Sequence, residues 1–217
     1  MTHASGKPAC RHLPGERGRS FAARKGLAGV AAALLVMLAV ACSEAPQWQT
    51  RTLEPGFPGL DFELIVEDGE TITEAQLEDA VTLLFFGYTH CPDVCPTTLA
   101  RLGAALRELP EAQRDHVKVL FVSVDPERDD PQRLASYTGA FGAQFIGATA
   151  EPERLRQLAS RYGSSFHHDA ENEGEHYLVT HGSNVLAFDR EGSARLLIRP
   201  EDGVEEIAHD LRLLLAS

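Results

Sequence analysis

The stretch "AVTLLFFGYTHCPDVCPTTLARLGAALRELP", residues 80–110, constrains the fold more than any other part of the chain. Its apolar run, rich in strand formers, predicts a strand buried on both faces. Leu99, Leu102, Leu106 and Leu109 then recur at intervals of three and four, which predicts a helix ending before Pro110. Between strand and helix stand Cys91 and Cys95, separated by three residues. A dithiol at the point where a buried strand hands over to a helix restricts both the architecture and the chemistry.

The rest of the chain supplies the partners for that unit. "LDFELIVEDGETIT" predicts two short strands joined at Asp68 and Gly69. "VKVLFVSVD" predicts a second buried strand, and "DDPQRLASYTGAF" a helix with Asp130 as N-cap and Pro131 as its first residue. "QFIGAT" is a shorter strand and "EPERLRQLASRYG" a helix closed by Gly163. "YLVTHGSNVLAFDREGSARLLIRP" predicts a late hairpin turning at residues 190–192, before a final amphipathic helix in "DGVEEIAHDLRLLLAS". Strands alternating with helices, followed by an antiparallel hairpin, imply an α/β fold with a mixed sheet flanked by helices. With the dithiol after the first core strand, a thioredoxin-like architecture is the expected one, and 217 residues are enough for a single core of this kind.

Residues 1–41 stand apart. Arg17, Arg19, Arg24 and Lys25 precede an uncharged apolar run of 16 residues, 26–41, which is short for a membrane span and suits the core of an export signal. Ala39 and Ala41 before Cys42 resemble the lipobox of bacterial lipoproteins, which makes Cys42 the expected lipidation site and membrane anchor; Ala39 stands where that motif favours Leu. Residues 42–59, rich in turn formers, are the expected tether, and residues 60–217 the folded domain. The expected location is the cell envelope of a bacterium, anchored to a membrane and facing the periplasm. From Cys42 onward, 14 basic residues stand against 31 acidic ones, a net charge of −17. Such a surface repels phosphate backbones and excludes nucleic acid as a natural partner.

With Cys10 in the signal and Cys42 capped by lipid, only Cys91 and Cys95 remain as thiols. In an oxidising compartment such a pair becomes a disulfide, a metal site, or a couple that cycles between the two. A structural staple is disfavoured, because closing so small a loop removes little unfolded-state entropy. Cys95, followed by Pro96, is placed as the cap of the helix, where free N–H groups and the helix dipole stabilise a thiolate. Thiolates serve exchange and soft-metal binding alike, and Cu(I) is content with fewer protein ligands than structural zinc. Among seven histidines after Cys42, His181 ends a strand-like run and is a candidate third ligand. A hydrogen-bonded histidine at a strand end is the plainer reading of the same spacing.

"GYTHCPDVCPTTL", "VSVDPERDDP" and "YLVTHGSNVLAFDREG", in that order, resemble the Sco (SenC) family of copper-binding proteins involved in cytochrome c oxidase assembly. The resemblance covers residues 60–215 and implies the thioredoxin-like fold with copper held by Cys91, Cys95 and His181. It implies a copper chaperone, or a thiol-disulfide oxidoreductase using the same dithiol, acting on the binuclear copper centre of oxidase subunit II. "EDAVTLLFF" lacks the Gly-Lys that often leads into the family's first core strand, a change expected to alter a surface turn and leave the site intact. Asp125 and Asp129 match acidic positions of the family's middle motif, where they tune the site, meet a partner, or serve turn and helix-start chemistry. Asp93 is expected to be a solvated loop carboxylate, and His90 to shape the loop. His167, His168 and His176 belong to the polar stretch "HHDAENEGEH", a weak site for Cu(II) at most.

Overall fold

The computed structural model describes residues 47–66, 68–168 and 179–216. The export signal, Cys42 and His176 lie outside the described residues, and among those described no helix is long and apolar enough to cross a membrane. The strand-forming run of residues 80–87 becomes β4 (Val81–Gly87), which is buried at every position. Two parallel strands follow it across the sheet, β5 (Val117–Ser123) and β6 (Phe145–Thr149). On the other side β4 pairs antiparallel with β9 (Val185–Phe188), which forms the late hairpin with β10 (Ala194–Ile198). The predicted early hairpin is β2 (Glu63–Val66) with β3 (Thr71–Thr73), turning where Gly69 takes a φ of 85° and donates its N–H to the Val66 carbonyl. With β1 (Arg51–Thr52) the sheet has eight strands in the order β1-β10-β9-β4-β5-β6-β2-β3.

Alternation along β4 divides the core in two. Leu83 and Phe85 face α1 (Val94–Arg107), α3 (Pro131–Gly139) and α5 (Val204–Ala216), whereas Leu84 and Phe86 face α4 (Pro152–Arg161). Leu99 and Leu102 are fully buried and Leu106 and Leu109 nearly so, as the helical spacing predicts. Pro110 stops that helix and opens the single turn α2 (Glu111–Arg114). Asp130 caps α3 by accepting from the Arg133 N–H at 2.7 Å, with Pro131 next in line. The mixed sheet with helices on both faces is the expected thioredoxin-like arrangement.

Two features differ from expectation for physical reasons. Residues 47–59 were expected to be tether, yet Gln49 and Thr50 donate to the Asp210 carboxylate on α5 at 2.8–3.2 Å, and β1 then pairs with β10. Burial of Asp210 demands those donors. The arm expected to run unbroken from residue 177 into the late hairpin instead breaks at residues 182–184. Its first part is β8 (Val179–His181), paired antiparallel with β7 (Phe166–His168) in a separate two-stranded ladder, so His181 stands ahead of the late hairpin. In the turn into β4, Asp79 takes a left-handed φ of 64°, and its carbonyl accepts from Arg190 Nε at 3.1 Å.

Candidate metal centre

Parallel strands end at a common edge, and the chain leaves β4 there. Tyr88 and Thr89 remain buried, His90 emerges, Cys91 is partly exposed, and residues 92–94 are exposed before Cys95 returns to full burial. The turn is closed by the Cys91 N–H donating to the Tyr88 carbonyl at 3.2 Å. Val94, 41% exposed, is one of only two large apolar side chains left open among the described residues. The loop therefore projects at the surface while its far end is rooted in the core.

The helix begins two residues earlier than the sequence suggested. Asp93 is the N-cap and Cys95 the second helical residue, so Cys95 does not cap α1. Its N–H, one of the donors that a helix start leaves unused, points to Cys91 Sγ at 3.4 Å. The helix end thus serves the sulfur of Cys91. Cys95 itself sits where Gly87 and Phe121 crowd its sulfur: a Cβ added at Gly87 would lie 2.8 Å from Cys95 Sγ and 2.6 Å from Phe121 Cε2. Burial pushes the Cys95 thiol far above its ordinary range, partly opposed by a backbone hydrogen bond at Tyr88 and reinforced by Cys91 and Asp129. That corrects the expectation of a thiolate stabilised at Cys95, because burial outweighs the one favourable hydrogen bond, at Tyr88. Both residues are in the dithiol form, with a side-chain hydrogen bond between them.

Asp125 and Asp129 stand immediately behind the loop, both fully buried. Asp125 pairs with Arg128 Nε at 2.6 Å, and the Arg128 guanidinium lies 5.8 Å from the Tyr88 ring centroid. Asp129 accepts from the Thr89 N–H at 2.8 Å, the Thr89 hydroxyl at 2.6 Å and the Ser123 hydroxyl at 2.6 Å. His90 Nδ1 is 3.6 Å from Asp129. Thr89 and Ser123 escaped the reading of the sequence. The register Gly87↔Ser123 brings them together, and no spacing within one motif reveals a contact made across two strands. Asp93 is exposed, and among the described residues its carboxylate accepts only the Thr97 hydroxyl, at 3.3 Å, as a loop carboxylate should.

Tyr137 lies on the same side of the sheet. Its ring packs 5.4 Å from Phe121 and 5.5 Å from Phe141. Its hydroxyl is buried and without a hydrogen-bond partner among the described residues. Burial pushes its pKa above the ordinary phenol range, making it a weaker acid, and the two cysteines push in the same direction.

The backbone also relates His181 to this edge. Thr82 pairs with Phe188 and Leu84 with Leu186, so going backward along β9 leads toward the end of β4 that carries the cysteines. His181 closes β8 immediately before the link into β9, opposite Phe166. His167 faces Thr180 in the same ladder, and His168 faces Val179 in register.

Comparison with known proteins follows the same boundaries. "Protein SCO1 homolog 1, mitochondrial" of Arabidopsis thaliana is 41% identical over 123 residues, 57% of this chain and 36% of the plant protein. A "putative copper-binding protein" of Stutzerimonas stutzeri is 34% identical over 149 residues, 67% of this chain and 72% of its own length. The crystal structure of Arabidopsis thaliana ScoI with copper bound superposes with a TM-score of 0.66 at 32% identity, covering 73% of this chain and 98% of that one. The SCO1/SenC family model matches residues 51–216, from β1 through the last turn of α5, and so takes in every element that frames the dithiol. On that match the chain belongs to the SCO1/SenC family.

Proposed function

We propose that this protein is a membrane-tethered copper chaperone that holds one copper ion through Cys91, Cys95 and His181. The observation that carries the proposal is the dithiol itself. One cysteine is partly exposed, with its sulfur supported by a helix N–H, and the other is buried in the core. Two sulfurs held from different directions on one short loop can converge on a soft ion, and an added imidazole suits both oxidation states of copper. The copper-binding relative and the copper-bound plant structure support the choice of metal. The proposed recipient is the binuclear copper centre of cytochrome c oxidase subunit II, and Cys42, carrying a lipid, is the proposed anchor on the periplasmic side of the membrane.

Anaerobic copper titration of the wild type, Cys91→Ser, Cys95→Ser and His181→Ala tests the ligand set. One ion bound per chain is expected, with sulfur-to-copper charge transfer in the Cu(II) form and a loss of affinity in all three variants. A spectrum with nitrogen and oxygen ligands alone would point to the histidines of residues 167–176 and defeat the proposal. Fatty-acid labelling that disappears in Cys42→Ala tests the anchor.

A second reading, thiol-disulfide oxidoreductase, draws on the same asymmetry: an accessible Cys91 to attack and a buried Cys95 to resolve. It needs the cysteines but not His181, so a His181→Ala variant with full reductase activity and no copper affinity separates the two.

A further inference from the structure

The two sulfurs are not held by the same wall. Cys95 is fixed by α1 and by packing against Gly87 and Phe121. Cys91 is only partly buried and packs at the edge of both halves of the core. Its place depends more on the short loop leaving β4, which the Cys91 N–H closes on Tyr88 and which Thr89 ties by its side chain and backbone to a buried carboxylate. The Thr89 N–H and hydroxyl both donate to Asp129, through different carboxylate oxygens, at 2.8 and 2.6 Å. The Thr89 hydroxyl in turn accepts from Arg133 Nε at 3.0 Å and stands 3.3 Å from His90 Nδ1. The Ser123 hydroxyl, from the end of the neighbouring strand, completes the set on Asp129.

A fully buried carboxylate is costly unless its lone pairs are satisfied, and replacement by apolar packing often stabilises a fold as well or better. Here Asp129 is satisfied largely by one residue of the ligand loop, with the Ser123 hydroxyl beside it and His90 Nδ1 3.6 Å away, while Arg133 Nε bonds Thr89. Two bonds to one residue fix both its backbone and its side chain. The residue they fix is two positions before Cys91, inside the turn that the Cys91 N–H closes on Tyr88.

We infer that Asp129 is a positioning residue for the metal loop, clamping Thr89 so that Cys91 Sγ is held at the separation from Cys95 Sγ that a bound copper ion requires. The inference rests on the copper reading above. Outer partners that orient ligands are worth about ten- to hundredfold in metal affinity when lost. The negative charge of Asp129 acts in the opposite sense, since it disfavours the thiolate at Cys95. Charge and position therefore predict opposite outcomes for Asp129→Asn: tighter copper binding if charge dominates, weaker binding if the clamp dominates.

The test measures Cu(I) affinity of the full domain, the Cu(II) charge-transfer band, and the alkylation rate of Cys91 in copper-free protein. It uses Asp129→Asn, Thr89→Val and Thr89→Ser below their unfolding temperatures. The clamp predicts a loss of about tenfold or more for Asp129→Asn and Thr89→Val, a shifted band and faster alkylation, with Thr89→Ser close to wild type because its hydroxyl remains. Tighter binding by Asp129→Asn overturns the inference, as does wild-type affinity and spectrum in a folded Thr89→Val. Should Asp129→Asn fail to fold, the two threonine variants decide. A wild type that binds no copper through sulfur defeats the functional reading instead, and the alkylation rates still report whether Asp129 holds Cys91.

Discussion

The N–H of Cys95 donates to Cys91 Sγ at 3.4 Å, so the two members of the dithiol are unequal before any metal arrives. Cys91 is partly exposed and receives the helix donor; Cys95 is fully buried, with its thiol pushed up by desolvation. Because the thiolate is the reactive species and needs access, alkylation of the copper-free, reduced protein is expected to label Cys91 well before Cys95. Mass spectrometry of peptides at short times checks the order. Equal labelling would mean that the loop opens as a unit.

Stability of the copper-free protein should fall as pH rises above about 9. The folded-state Cys95 value lies above the ordinary thiol value of 9.0, so its contribution is complete below that pH and is lost as the pH climbs toward the folded value. Tyr88, Tyr137 and Tyr162, all raised by burial from 10.0, add losses of the same sign at still higher pH. Denaturant unfolding across pH 8–10.5 should show the earlier onset in wild type and its absence in Cys95→Ser. With copper bound through the thiolates, that first onset should vanish, because those protons have already left.

Gly87→Ala should damage the site and the core together. The new methyl would meet Phe121 Cε2 at 2.6 Å and Cys95 Sγ at 2.8 Å, and neither atom belongs to a flexible side-chain end. A loss of about 1–3 kcal/mol is expected from overpacking. Copper titration of the folded variant should show weaker binding than wild type. An unchanged melting temperature would show that β4 and α1 separate more easily than their packing suggests.

Tyr137→Phe is expected to be neutral or stabilising. The hydroxyl it removes is buried without a partner among the described residues, whereas the ring contacts with Phe121 and Phe141 survive. An unsatisfied buried hydroxyl costs about 1–3 kcal/mol, and its deletion recovers part of that. Thermal unfolding of the copper-free protein is the measurement, and a marked loss of stability would reveal a partner for the hydroxyl.

Asp210→Ala should release the N-terminal segment and leave the metal loop untouched. Three donors on Gln49 and Thr50 lose their buried acceptor. Limited proteolysis near residues 47–53 should accelerate, with copper affinity unchanged. Resistance to proteolysis would show that β1 holds through its pairing with β10 alone.

The parts of this structure legible in the sequence are those built from local signals. The run at residues 80–87, the leucines of α1 and the Asp130-Pro131 cap each carry their own period or cap chemistry. The parts that were not legible are long-range. Thr50 is ordered by Asp210, 160 residues along the chain, and nothing around Thr50 announces that acceptor. β7 and β8 have three residues each, too few for an alternating pattern, and the first is drawn from a polar, histidine-rich stretch. The cysteine pair and both aspartates stood out by residue type. Their relation did not, because Thr89 and Ser123 meet Asp129 only once β4 and β5 lie side by side.

The strand order carries a consequence in time. β4, α1, the single turn α2 and β5 follow one another along the chain and β4 pairs directly with β5, so the cysteines gain their setting through contacts close in sequence. β9 reaches β4 only after the intervening strands and helices have been passed, and the chain ahead of it carries His181. Contacts of long sequence separation close late. On the three-ligand proposal, the sulfurs are assembled early and the imidazole arrives last, when β9 docks. A half-folded chain would then hold copper by sulfur alone and loosely, so firm loading and completion of the sheet would coincide, and His181 would act as a seal that only a finished molecule can apply.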